Sequence, residues 1–126
     1  RFLFLESGVS WIPFVLFRLD NEFLMRRSEA PLLKRLPSEY IRERFFFTTQ
    51  PLEEPLEGEL SYIEALVDMI GCSQLLFASN YPEADFDLPG KILSLPFLTD
   101  DDKRAILGGN ACRLFGEERI GAPTEA

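Results

Sequence analysis

Leu75-Leu76-Phe77-Ala78-Ser79-Asn80-Tyr81-Pro82 decides the fold: four consecutive apolar residues run into four polar or turn-forming ones. An apolar run without alternation reads as a strand covered on both faces, the pattern of a parallel sheet. Two upstream segments repeat it. Phe2-Leu3-Phe4-Leu5 is apolar throughout and ends at Glu6-Ser7-Gly8. The stretch from Arg44 to Gln50 carries Phe45, Phe46 and Phe47, then Thr48-Thr49, whose branched side chains favour extended backbone.

Between these strands the apolar spacing becomes helical. From Ser10, the expected cap, with Pro13 in the first turn, Trp11, Ile12, Val15, Leu16, Leu19 and Phe23 recur on one face, and Arg26 and Arg27 suit the C-terminal turn. Pro31 to Tyr40 predicts a short helix begun by Ser38. Pro51 and Pro55, with glutamates at positions 53, 54, 57 and 59, form a loop that enters an acidic helix start. That helix carries Leu60, Ile63, Leu66, Val67 and Ile70 and stops at Gly71. After the third strand come a loop with Asp85 and Asp87 and a short helix around Gly90 to Leu95. A helix capped by Thr99 then runs to Leu107, Gly108-Gly109 breaks it, and Asn110 caps a last helix closed by Gly116. The tail from Glu117 is expected to fray.

Strand and helix thus alternate three times, with crossovers long enough for parallel pairing, which makes residues 1–126 one α/β unit. Three parallel strands leave hydrophobic edges, so the chain is expected to form a homo-oligomer or to belong to a larger sheet. The chain opens on Arg1 inside an apolar run, which leads to the expectation that residues precede it.

Composition narrows the chemistry. The 126 residues are 46% hydrophobic and carry 13 basic against 21 acidic side chains, a net charge of −8. That acidity argues against nucleic acid as a partner, and no apolar run approaches the ~18 residues of a membrane span. Nothing at the N-terminus reads as a signal peptide, and two cysteines, Cys72 and Cys112, make no disulfide framework, so a cytoplasmic protein is expected. There is no histidine. Histidine-based triads and metal centres would need that residue from elsewhere.

In α/β folds chemistry gathers where strands end, so Glu6, Ser7, Thr48 to Gln50 and Asn80 to Glu83 are the residues to weigh. Each is also an ordinary start to a solvated loop. Cys72 and Cys112 are better read as small buried hydrophobes than as nucleophiles. Ser79 lacks the glycines of a nucleophile elbow.

The segment Leu75 to Pro82 with Asp85-Phe86-Asp87, followed by Ile106-Leu107-Gly108-Gly109-Asn110-Ala111 and Leu114-Phe115-Gly116, resembles the last strand and closing helices of amidohydrolase family 2. These are metal-dependent (β/α)-barrel hydrolases and decarboxylases related to aminocarboxymuconate-semialdehyde decarboxylase. Glu6 to Pro13 with Arg18-Leu19-Asp20, and Pro37-Ser38-Glu39-Tyr40, are similar to the segments after the sixth strand. The resemblance implies the C-terminal part, strands six to eight, of an eight-stranded TIM barrel of ~250 residues. It implies a small carboxylic or cyclic substrate, a divalent metal such as zinc held mainly by histidines of the N-terminal half, and inactivity of this portion alone. The family's last strand supplies an aspartate, as metal ligand or acid/base, in a Ser-Asp-Tyr-Pro-His setting. Asn80 stands at the aspartate position and Glu83 at the histidine position. The resemblance therefore nominates Asn80 and Glu6 as catalytic positions, Asn80 as a metal position, and Tyr81 and Glu83 as substrate contacts. An amide cannot take the aspartate's proton-transfer role near neutral pH. The alternative from another class is a non-catalytic half-barrel that associates with itself or with a separate N-terminal half.

Overall fold

Strand register sets which side chains meet in the computed structural model, which describes residues 1–53 and 59–116. Strands β1 (Phe2–Phe4), β2 (Phe45–Thr48) and β3 (Leu75–Leu76) are parallel and pair in chain order. Phe2 pairs with Phe45 and Phe4 with Phe47, so with a two-residue period four phenylalanines share one face. Their rings lie 4.9–5.8 Å apart, and Trp11 meets Phe4 and Phe47 edge-on. Such pairs add ~0.5–1.5 kcal/mol each beyond area burial.

Helices α1 (Ile12–Met25) and α2 (Pro37–Arg44) connect β1 to β2, and α3 (Ser61–Ile70) connects β2 to β3. α1 contributes Ile12 and Leu16, and α3 contributes Ile63, Leu66, Val67 and Ile70, to one core with Phe47 and Leu75. Full burial of each such side chain is worth ~1.5–3 kcal/mol, which is why the helical periods of α1 and α3 decide their orientation. Short helices α4 (Gly90–Leu93), α5 (Asp100–Arg104) and α6 (Asn110–Phe115) follow β3, and Ile92 and Ile106 complete the core.

Several local expectations change. β1 is an outer strand, with Phe2 59% and Leu5 65% exposed, because no strand lies beyond it among the described residues. β3 spans two residues rather than four, because the Phe77 amide turns away from β2 and donates to the Ile106 carbonyl at 2.9 Å. Ser10 does not cap α1. The turn is fastened by the Trp11 indole, which donates to the carbonyls of Ser7 and Gly8, both at 3.0 Å. Arg26 and Arg27 fall just past the last turn of α1. Ser38 lies in the first turn of α2, where its amide donates to Asp20 Oδ1 of α1 at 2.9 Å.

Gly71 does stop α3, with φ +97°, a backbone angle that side chains resist. Gly108-Gly109 is not a break. Ala105–Gly109 forms a π-helical turn that joins α5 to α6 without interruption. Asn110, expected as a cap, is instead fully buried at 0% exposure. Its Nδ2 donates to the carbonyls of Cys72 and Leu75, both at 2.7 Å, and its Oδ1 accepts from Arg113 at 2.9 Å. The expectations for Glu54, Pro55, Glu57 and the tail from Glu117 lie outside the described residues.

Thr99 caps α5 as expected. Its hydroxyl accepts from the Asp102 amide at 3.1 Å, while the Asp102 carboxylate accepts from the Thr99 amide at 3.2 Å. The bonds from Thr99 hold the Asp102 carboxyl below its ordinary pKa. Thr99→Ala is expected to lower stability by about 1 kcal/mol and Thr99→Ser by much less, read from urea midpoints.

Candidate functional site

The C-terminal ends of the three strands present their following turns side by side. Thr48, buried at the end of β2, organises the first two. Its Oγ1 accepts from the Glu6 amide at 3.1 Å and lies 3.4 Å from the Phe4 carbonyl and 3.3 Å from the Gln50 carbonyl, to one of which its proton is donated. Glu6 has φ +52° and Asn80 has φ +58°, the two non-glycine residues with positive φ among those described. Asparagine tolerates that region and glutamate does so at a cost, which makes the turn at Glu6 an imposed conformation.

The turn after β3 is built around Asp85. The Asp85 Oδ1 accepts from Asn80 Nδ2 at 3.2 Å. Gln50 Nε2 lies 3.2 Å from the Asp85 carbonyl and 3.4 Å from its Oδ2. All these Asp85 atoms are acceptors, so both amides must turn their nitrogens toward it. The consequence falls on Gln50, which is 2% exposed and whose buried Oε1 has no partner. The loop folds back through the Asp87 amide to the Ser79 carbonyl at 2.8 Å and the Glu83 amide to the Asn80 carbonyl at 2.9 Å. Lys91 reinforces it from α4, reaching Asp87 at 3.1 Å and the Leu52 carbonyl at 2.8 Å.

The structure thus distributes the nominated residues unevenly. Asn80 joins Asp85 and Gln50 in one cluster. Glu6 stands at the end of β1, two strand spacings or about 10 Å from the β3 position, and is exposed. Tyr81 is exposed and packs edge-on against Phe86 at 5.8 Å, and Glu83 is exposed in the same loop. Gln50 is among the strand-end residues and Asp85 belongs to the quoted motif, five positions after Asn80, but the bond that joins the two spans 35 positions and has no local signal.

Two further features bound the chemistry. Burial, and then the Asp102 carboxylate, push the Cys72 thiol up to about 11, so it stays protonated and unreactive at neutral pH. A cavity of about 370 Å³ lies between α1, α2 and the phenylalanine face, away from the strand ends. Of its two side chains with a polar atom, Tyr40 has its hydroxyl engaged by the Lys34 amide at 3.1 Å and Trp11 has its indole N–H engaged by the Ser7 and Gly8 carbonyls.

As a metal centre the strand-end cluster is incomplete. Among the described residues no group of three or more His, Cys, Asp or Glu side chains comes together. Asp85 is a single carboxylate whose Oδ1 and Oδ2 face the amide nitrogens of Asn80 and Gln50, so these residues do not form a ligand set by themselves. The isolated chain is expected to hold well under one zinc per molecule after exhaustive dialysis, measured by elemental analysis.

The family model described as amidohydrolase matches residues 1–116. No curated protein gives a significant match. Among solved structures, 5-carboxyvanillate decarboxylase from Sphingomonas paucimobilis is 31% identical with a TM-score of 0.66, over 86% of this chain and 32% of that enzyme. In fold the chain is also similar to 2,6-dihydroxybenzoate decarboxylase from Rhizobium, at 21% identity and TM-score 0.58 over 90% of this chain and 34% of the other. A third likeness in fold is to a dihydroxybenzoic acid decarboxylase from Polaromonas sp. JS666, solved with bound manganese and the inhibitor 2-nitroresorcinol. It is 19% identical with a TM-score of 0.56, over 91% of this chain and 33% of that one. The chain spans about a third of the length of each of these enzymes. Since the family model covers all but the last ten residues, the chain belongs to the amidohydrolase family.

Proposed function

We propose that the chain supplies strands six to eight of an amidohydrolase barrel, as its C-terminal unit over residues 1–126. The complete barrel would be a metal-dependent hydrolase or decarboxylase for a small carboxylic or cyclic substrate, and this portion would be inactive alone. One observation carries the reading: three parallel strands pair in chain order, deliver Glu6, Gln50 and Asn80 to one rim, and leave the outer edge of β1 open for a preceding strand. In this reading Asn80 occupies the family's aspartate position, Glu6 is a base or ligand on the opposite side, and Tyr81 and Glu83 contact substrate. The metal, if bound in the complete barrel, would supply Lewis-acid chemistry from ligands that lie mainly outside this chain. This chain's own contribution is to position the rim: Thr48 holds the Glu6 turn, and Asp85 holds Asn80. The 31% identity to a 5-carboxyvanillate decarboxylase favours an aromatic carboxylate as the first substrate to try.

The test is fragment complementation. The N-terminal two-thirds of the Sphingomonas enzyme is co-expressed either with its own C-terminal third or with this chain, and loss of 5-carboxyvanillate is followed by absorbance. A co-purifying complex with measurable decarboxylation supports the proposal. If the native third restores activity and this chain neither binds nor restores it, the proposal fails. The second reading, a non-catalytic half-barrel that self-associates or pairs with a separate N-terminal half, is favoured by the amide at position 80 and predicts a complex without turnover.

A further inference from the structure

Gln50 breaks a rule that the other described residues obey. Buried side-chain polar atoms find partners, yet its Oε1, closed to solvent, has none. Turning the amide over offers no relief. It would aim Oε1 at the Asp85 carbonyl and Oδ2, two acceptors, and leave Nε2 as the unpaired atom instead. An unmet buried acceptor costs more than a typical hydrogen bond returns, and a methionine of nearly the same length would remove it. The chain therefore keeps at the end of its central strand a side chain that is poor for stability.

We propose that Gln50 is a positioning residue for the rim, which leaves its own Oε1 unpaired to fix the Asp85 carboxylate and, through it, Asn80. Anchorage gives the direction. The Gln50 carbonyl lies 3.3 Å from Thr48 Oγ1, and the adjacent Thr49 amide donates to the Leu76 carbonyl of β3 at 2.9 Å. Asp85 is exposed in a loop, so the loop takes its place from the strand end and not the reverse. Geometry shows what is fixed. The two Nε2 hydrogens face the carbonyl of Asp85 at 3.2 Å and its Oδ2 at 3.4 Å, backbone and side chain of one residue, which holds the carboxylate in one rotamer. Its Oδ1 is thereby turned to Asn80 Nδ2 at 3.2 Å. Both donors are neutral amides, so the carboxylate's charge stays at the rim. Closing the loop does not require this grip, because the Asp87 amide on the Ser79 carbonyl and Lys91 on Asp87 already close it. What Gln50 adds is the direction of Asp85.

The experiment compares Gln50→Met and Asp85→Ala in the whole chain, by urea unfolding and by the side-chain amide resonances of Asn80. Gln50→Met removes the unpaired acceptor and releases only Asp85, which is exposed and rewets, so the midpoint should rise by about 0.5 M. The same variant should free Asn80, whose two Nδ2 proton resonances move toward those of an unstructured asparagine. Asp85→Ala should free Asn80 equally but leaves Oε1 buried, so it should give no rise. In the Asp85→Ala background, adding Gln50→Met should not move the Asn80 resonances further, because Gln50 acts on Asn80 through Asp85. In the complemented barrel, and resting on the barrel reading, Gln50→Met should lower kcat by about tenfold or more with KM little changed, the signature of a misplaced rim. Unchanged turnover together with a freed Asn80 in the isolated chain upholds Gln50 and counts against the barrel reading. A midpoint that fails to rise with Gln50→Met, or Asn80 resonances that ignore it, makes Gln50 a structural clasp and overturns the proposal.

Discussion

Asn80→Asp should raise the turnover of the complemented barrel by about 10²–10⁴-fold, the range a positioned general acid or base contributes. The expectation follows from the proposed placement of Asn80 at the rim, where the amide has neither charge nor a usable proton near neutral pH. The structure adds a condition. Asn80 Nδ2 donates to Asp85 at 3.2 Å, and a carboxylate in its place would face another carboxylate. Two such groups cannot both ionise freely, so one binds its proton more tightly in the folded state than in the unfolded chain. Folded Asn80→Asp then holds more protons than unfolded, and its stability falls as pH rises through and above the ordinary carboxylate range. The exchange Asn80→Asp with Asp85→Asn keeps one amide and one carboxylate in contact and should keep wild-type stability at pH 7. The isolated chain should gain no activity from either change. A complemented barrel already as fast as the native pairing with Asn80, and slowed by aspartate, would show that the asparagine is a functional choice rather than a lost acid.

Local physics made much of this fold legible and hid the rest. Phe45-Phe46-Phe47 and Leu75-Leu76 announce strands because both faces of a parallel strand are covered, and the periods of α1 and α3 show because each buries one stripe. Gly71 and Gly116, with φ +97° and +87°, stop helices where the sequence places the stops. Gly108-Gly109 misleads because glycine reports what the backbone permits, while the path there is set by Ile106 entering the core and accepting the Phe77 amide at long range. The same holds at the rim. Asn80 is visible through its motif and its partner Asp85 lies only five positions on, but the Gln50 amide that Asp85 also holds comes from a strand end 35 positions away. Side-chain partners across such distances leave no spacing in the sequence.

Asn110→Ala should be the most damaging single change to the isolated chain, costing about 3–5 kcal/mol out of the ~5–15 kcal/mol typical of a domain. Its Nδ2 holds the carbonyls of Cys72 and Leu75, which lie at either end of the turn that feeds β3. Alanine leaves both without this donor in a site closed to water, each at ~1–3 kcal/mol, and adds a small void where the amide was. With a urea slope of ~1–3 kcal/mol per molar, the midpoint should fall by more than about 1 M. Arg113→Ala separates this clip from its surroundings: Arg113 donates to the Asn110 Oδ1 but is itself on the surface, and its loss should cost under about 1 kcal/mol. Asn110→Asp supplies the opposite control. Its ionised form presents charge to two carbonyls and should be at least as harmful as alanine at pH 7. The protonated acid restores one donor, so its folded-state pKa is raised and the deficit should shrink as pH falls toward 4. Equal midpoints for Asn110→Ala and Arg113→Ala would mean that the entry to β3 is held by packing alone, and that the buried amide is dispensable.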